Sequence, residues 1–155
     1  MRRPIVLLVS LCLLGGGATV ADAATRNGDN GNNTLLGTNG SDRINGRGGN
    51  DTIKGRGGRD VINGGSGNDF ITGDAGPDRI DGGSGNDTIL GHSSGDRITG
   101  GSGSDTINGG AGNDTINARD GVADAIITCG PGRDTVIIDR GLDRPQGNCE
   151  RVVER

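Results

Sequence analysis

From residue 28 onward one large aliphatic side chain recurs every nine positions: Leu35, Ile44, Ile53, Ile62, Ile71, Ile80, Ile89, Ile98, Ile107 and Ile116. Two residues before each stands a polar position, Asn33 and then Asp42, Asp51, Asp60, Asp69, Asp78, Asp87, Asp96, Asp105 and Asp114. The first six positions of each unit are rich in Gly, Asn and Asp, residues that accept a positive φ and turn the chain. The last three, such as Thr88-Ile89-Leu90, are too short for a helix and predict a strand whose middle side chain faces inward. The unit reads G-G-x-G-x-D-x-U-x, with U aliphatic, and runs unbroken through ten copies from Gly28 to Asn117. A fixed short period of this kind predicts a solenoid.

Two units make one coil of 18 residues, so the chain is expected to be all-β. Two parallel sheets face each other across a column of isoleucines. Alternate units place their seventh residues on the same sheet. One outer column then reads Thr34, Thr52, Phe70, Thr88, Thr106, and the other Arg43, Val61, Arg79, Arg97, Thr115. Residues 25–27 read as a short tail before the repeats at 28–117. Two irregular decads follow over 118–138, pairing Asp124 with Ile126 and Asp134 with Val136. Residues 139–155 read as a C-terminal cap.

The polar position changes the picture. On each edge of the solenoid its aspartates recur once per coil, at a strand spacing of about 4.8 Å. Two like charges at that distance repel by roughly 3–4 kcal/mol at an effective dielectric of about 20. A core one residue thick is a poor place for two such ladders unless a cation belongs to the fold. The available ligands are hard oxygens, Asp carboxylates and turn carbonyls, with no Cys/His cluster for zinc. Calcium accepts six to eight oxygens in loose geometry and suits this set better than magnesium. Several Ca2+ ions are expected, each between turns 18 residues apart. The candidate ligands are Asp42, Asp51, Asp60, Asp69, Asp78, Asp87, Asp96, Asp105 and Asp114.

The repeats at Gly64, Gly82, Gly100 and Gly109 match every position of the unit, for example Gly109-Gly110-Ala111-Gly112-Asn113-Asp114-Thr115-Ile116. This resembles the calcium-binding nonapeptide repeat of the RTX (repeats-in-toxin) family. The resemblance implies a right-handed parallel β-roll, calcium-dependent folding and sites shared between turns. The chain departs from the pattern at Asn33, at Thr38, Arg47 and Arg56 in place of the second glycine, and at Ser94 in place of the fourth. These put the first turn and the turn of Asp96 in doubt as calcium sites, and Arg59 beside Asp60 adds a competing cation. The C-terminal block around Cys129 and Cys149 looks like that of small secreted stand-alone repeat proteins of actinobacterial type.

The N-terminus reads as a removed signal peptide over residues 1–24: Arg2 and Arg3, a short apolar run from Ile5 to Leu14, and Ala21-Asp22-Ala23. The apolar run is about half the ~20 residues a membrane span needs, so no membrane span is expected. Secretion leaves two cysteines, Cys129 and Cys149, which are expected to pair and pin the cap over the last coil. Losing two arginines and one aspartate takes the formal charge from −4 to −5, which argues against a nucleic-acid partner. Arg43, Arg47, Lys54, Arg56 and Arg59 read as a solvated patch offsetting the ladder. His92 is the one histidine, and no nucleophile with a base is visible, so no enzyme is expected. The functional expectation is an extracellular calcium-binding protein. Its rival is an adhesin or cell-surface module, with an unspecified surface or polysaccharide partner, in which calcium is structural. Ice binding through the Thr column is a further alternative.

Overall fold

The computed structural model describes residues 23–155. The signal-peptide reading concerns residues 1–22 almost entirely, and these lie outside the described residues. Fourteen strands follow in order: β1 (Thr25–Asn27), β2 (Thr34–Leu36), β3 (Arg43–Gly48), β4 (Thr52–Lys54), β5 (Val61–Ser66), β6 (Phe70–Ala75) and β7 (Arg79–Ser84). Then come β8 (Thr88–Ser93), β9 (Arg97–Ser102), β10 (Thr106–Asn108), β11 (Thr115–Asn117), β12 (Ile126–Thr128), β13 (Thr135–Ile138) and β14 (Arg151–Glu154). Odd-numbered strands and β14 form an eight-stranded sheet, even-numbered strands up to β12 a six-stranded one. Every pairing is parallel. The result is a β-solenoid of about seven coils, and no helix occurs among the described residues.

The nine-residue period sets the register. Ile44, Ile62, Ile80 and Ile98 are direct partners on one sheet, and Ile53, Ile71, Ile89 and Ile107 on the other. All eight are at most 1 % exposed and meet in a single core column. The outer columns fall as the alternation predicts, Thr34–Thr52–Phe70–Thr88–Thr106 on one face and Arg43–Val61–Arg79–Arg97–Thr115 on the other.

The turns need glycine for two reasons. Gly85 has a φ of 120°, and a Cβ there would meet the carbonyl carbon of Gly67, one coil below, at 2.7 Å. Left-handed backbone and close stacking therefore coincide. At five replaced glycines the backbone conformation persists: Arg47, Arg56, Asp74 and His92 hold φ of 71–78° at the second position, and Ser94 holds 85° at the fourth, whereas Asp29 and Thr38 in the first two units do not adopt it.

At the ends two expectations are revised and the disulfide-tied cap is met. Residues 25–27 are strand β1, paired with Arg43–Asn45, because the first coil still presents open hydrogen-bonding groups at its edge. In the first decad the core residue is Ile127, 1 % exposed, and Ile126 is 44 % exposed. The amides of Ala125 and Ile126 both donate to the Asp105 carbonyl, at 2.8 and 3.2 Å, so a local bulge absorbs the extra residue and flips the faces. The C-terminal segment contributes β14 as the last strand of the larger sheet, and Gln146 bridges to Thr128 over the end of the smaller one. A Cys129–Cys149 disulfide ties this segment to the last coil.

Candidate metal centre

The turns bring the candidate aspartates into two ladders, one along each edge. Each carboxylate reaches back one coil through Oδ1, which accepts the backbone N–H of the residue 18 positions earlier, Ala24 for Asp42, Asn33 for Asp51 and an aspartate for the rest. On one edge Asp42, Asp60, Asp78 and Asp96 donate to Asp60, Asp78, Asp96 and Asp114 at 2.7–2.8 Å. On the other Asp51, Asp69 and Asp87 donate to Asp69, Asp87 and Asp105 at 2.7–2.9 Å. All nine carboxylates expected as ligands are at most 3 % exposed.

The second oxygen is where the chemistry lies. Oδ2 of Asp51, Asp60, Asp69, Asp78, Asp87, Asp96 and Asp114 is buried and accepts no hydrogen bond. A buried carboxylate oxygen without a partner is costly. A Cβ built on Gly82 would meet Asp87 Oδ2 at 2.5 Å and also run into the Gly100 carbonyl oxygen. A carboxylate oxygen and a carbonyl oxygen thus approach the same point, beside the Ile89 Cδ1 methyl at 3.1 Å, and a cation would satisfy both. Among the described residues no group of three carboxylates, imidazoles or thiols converges on one point. An ion held here would take one carboxylate oxygen per turn and complete its shell from glycine carbonyls, the hard-oxygen set that calcium favours.

Electrostatics point the same way. Burial raises the carboxyl pKa of Asp60 to about 6 and of Asp78, Asp87 and Asp96 to about 7, with backbone hydrogen bonds opposing and the neighbouring aspartates adding to the rise. Burial likewise raises Asp51, Asp69, Asp105 and Asp114. Without a cation Asp78, Asp87 and Asp96 hold protons into the neutral range.

The doubtful turns resolve individually. Asn33 closes on itself: its Oδ1 accepts the Asp29 amide and its Nδ2 donates to Asp29 Oδ1. Thr38, at a second-glycine position, donates its amide to Asp42 Oδ2 at 2.5 Å, while the Ala24 amide donates to Asp42 Oδ1 at 2.6 Å. The Asp42 carboxylate is therefore fully engaged. Ser94 does not distort its turn, and Asp96 has the same buried, unpartnered Oδ2 as its neighbours.

Sequence reasoning left four ladder members out of the ligand set. Asp124 and Asp134 continue the two edges, accepting from Asp105 and Asp114 at 3.0 and 2.8 Å, and each has an unpartnered Oδ2. Burial raises Asp124 to about 7. Asp143 and Glu150 then end the edges by accepting the amides of Asp124 and Asp134. Their spacings of 19, 20 and 16 residues break the 18-residue rule. The signal that could have found Asp124 and Asp134 is an aspartate two or three residues before a buried aliphatic.

A parallel β-solenoid with a carboxylate ladder on each edge is the architecture of a repeat protein built around cation sites. The RTX calcium-binding nonapeptide repeat matches four times, at residues 27–62, 54–89, 63–97 and 90–122. The chain belongs to that family, whose repeat binds calcium. A search of curated proteins found no match. No helix among the described residues is long and apolar enough to cross a membrane.

Proposed function

We propose that this chain is an extracellular calcium-binding protein without a catalytic role, whose solenoid folds as several ions load its two edges. The observation that carries the reading is the row of buried, unpartnered Oδ2 atoms. The ligands are Asp51, Asp60, Asp69, Asp78, Asp87, Asp96, Asp105 and Asp114, each supplying a carboxylate to the turns it separates, with glycine carbonyls completing the shell. Asp124 and Asp134 extend the set. Asp42 is the weakest candidate, since amides already occupy both of its oxygens. Bound calcium would neutralise like charges that otherwise repel along each edge.

Residues 28–117 are the loading segment, 118–138 its irregular continuation, and 139–155 the cap. The Cys129–Cys149 disulfide supports an oxidising compartment and so an exported protein. The test is a calcium titration followed by far-UV circular dichroism, with stoichiometry from calorimetry. Calcium converts a largely disordered spectrum into a β spectrum, with several ions bound per chain. A β spectrum of full strength in EGTA would refute calcium-driven folding, and the absence of a calcium isotherm would refute the sites.

A further inference from the structure

The outer face of the eight-stranded sheet carries chemistry that the edges do not use. Arg79 and Arg97 are direct cross-strand neighbours on β7 and β9, both exposed. Like charges in that relation destabilise a sheet. Among the described residues neither forms an ion pair; the pairs present are His92–Asp74, Arg119–Asp139 and Arg140–Glu154. The corresponding column on the other sheet contains no charge at all.

These two guanidiniums border a shallow depression of about 300 Å³ with Thr99, Thr115 and Asn117. Asn117 also borders a second depression of about 650 Å³, lined by Arg119, Asp120, Gly121, Ile137, Asp139 and Arg155. The first depression lies over β7, β9 and β11 and shares only Asn117 with the second. The acidic groups nearby are Asp81, Asp120 and Asp139. Asp81 lies in register with Thr99 outside the lining of either depression. Asp120 and Asp139 are turned toward the backbone: Asp120 accepts from Gly103 and Val122, and Asp139 from Asp120 and Gly121. Both line the second depression, where Asp139 also pairs with Arg119 at 3.8 Å; the first depression has no carboxylate in its lining and presents guanidinium, hydroxyl and carboxamide groups to solvent.

We propose that the depression over β7, β9 and β11 binds an anionic polysaccharide, its sulfate or carboxylate groups seated between Arg79 and Arg97. Guanidinium forks suit such oxyanions, and the intervening Thr99, Thr115 and Asn117 suit sugar hydroxyls. A nucleic acid fits less well. Single strands need aromatic stacking platforms, and the one aromatic residue, Phe70, is on the opposite sheet. The site uses none of the ladder carboxylates, so it stands independently of the calcium reading.

The test is calorimetric titration of the calcium-saturated protein with dextran sulfate oligosaccharides, using unsulfated dextran of the same length as the control. The sulfated chain binds, binding weakens with added salt as exposed charge pairs do, and dextran does not bind. The double variant Arg79→Gln/Arg97→Gln binds at least tenfold more weakly with an unchanged circular dichroism spectrum. Lys54→Gln, on the opposite sheet, retains wild-type affinity. No binding of dextran sulfate, equal binding of dextran, or undiminished affinity in a folded double variant would overturn the proposal. So would tighter binding of a single-stranded oligonucleotide than of dextran sulfate.

Discussion

Replacing Asp87 by asparagine separates a carboxylate that waits for a cation from one that merely closes a turn. The amide keeps the shape and the Oδ1 that accepts the Asp69 amide at 2.8 Å. It exchanges the unpartnered, buried Oδ2 for an N–H donor. In the metal-free fold the Asp87 carboxyl is held at about 7 instead of 3.8. At 1.36 kcal/mol per tenfold change in proton affinity, its ionised form disfavours that fold above pH 7 by up to about 4 kcal/mol. The side chain is 2 % exposed, yet the turn is one layer thick and solvent lies just beyond it, so about half of this is screened. An incompletely satisfied amide donor takes back about 1 kcal/mol. Asp87→Asn is therefore expected to stabilise the calcium-free solenoid by about 1 kcal/mol. With calcium the sign reverses, because the variant loses one charge and one ligand between two turns, for an affinity loss of about tenfold, or about 1.4 kcal/mol. The assay is urea unfolding at pH 8 by circular dichroism, once in calcium and once in EGTA with trimethylamine N-oxide to hold the weakened fold in range. Destabilisation of equal size in both conditions would refute the argument and reduce Asp87 to a turn residue.

Other consequences follow from the same geometry. In EGTA the raised carboxyls make the fold most stable below about pH 4, and β structure is lost as pH rises through 6 to 7, the range of Asp60, Asp78, Asp87, Asp96 and Asp124. In calcium the order inverts, since ions compete with those protons and the loaded fold weakens as pH falls below about 6; a pH series of melting curves with and without EGTA checks both. Ile89→Ala, at a fully buried position, costs about 3 kcal/mol, while Phe70→Ala, at a 40 % exposed one, costs under about 1 kcal/mol; denaturant midpoints compare them. Arg56→Gly, where φ is 78°, gains about 0.5–1 kcal/mol in the same assay, relief of left-handed strain exceeding the added chain entropy. Reducing Cys129–Cys149, a closure across 20 residues, costs about 3 kcal/mol and shows in unfolding with and without reductant.

The middle of the solenoid was readable because one number governs it. Once Ile71 faces inward, Ile89 must lie beside it and Asp69 beside Asp87, and the strand partners follow. The length of the strands was less readable. The pattern predicts three residues, as in Thr52–Lys54, but β5 through β9 run to six, because the first turn residues also pair, Gly65 with Gly83 and Ser66 with Ser84. That pairing depends on the stacking of neighbouring coils and leaves no mark on a single repeat. The ends escaped for a different reason. Nothing before Thr25 repeats the motif, so β1 carried no periodic signal. In the first decad two adjacent isoleucines compete for one inward position, and only the bulge over the Asp105 carbonyl decides for Ile127.

The ends also bear on what the interior is for. If the aspartates served only to satisfy turn amides, every rung would be expected to spend both oxygens on the backbone. Asp42 does so, between Ala24 and Thr38. Asp143 does so at the far end, between Asp124 and Asp139. Asn33, at the start of the other edge, dispenses with the charge altogether. Between these termini the chain could have repeated the same solution, since Thr38 shows that a residue at the second-glycine position can supply the extra hydrogen bonds. Instead Asp51, Asp60, Asp69, Asp78, Asp87, Asp96 and Asp114 each keep one buried oxygen without a donor. With Asp124 and Asp134 the costly arrangement recurs nine times, and repeating it while avoiding it at Asp42 and Asp143 is hard to explain by turn closure alone. It supports a division of labour in which the termini are closed by protein groups and the interior rungs are completed by calcium.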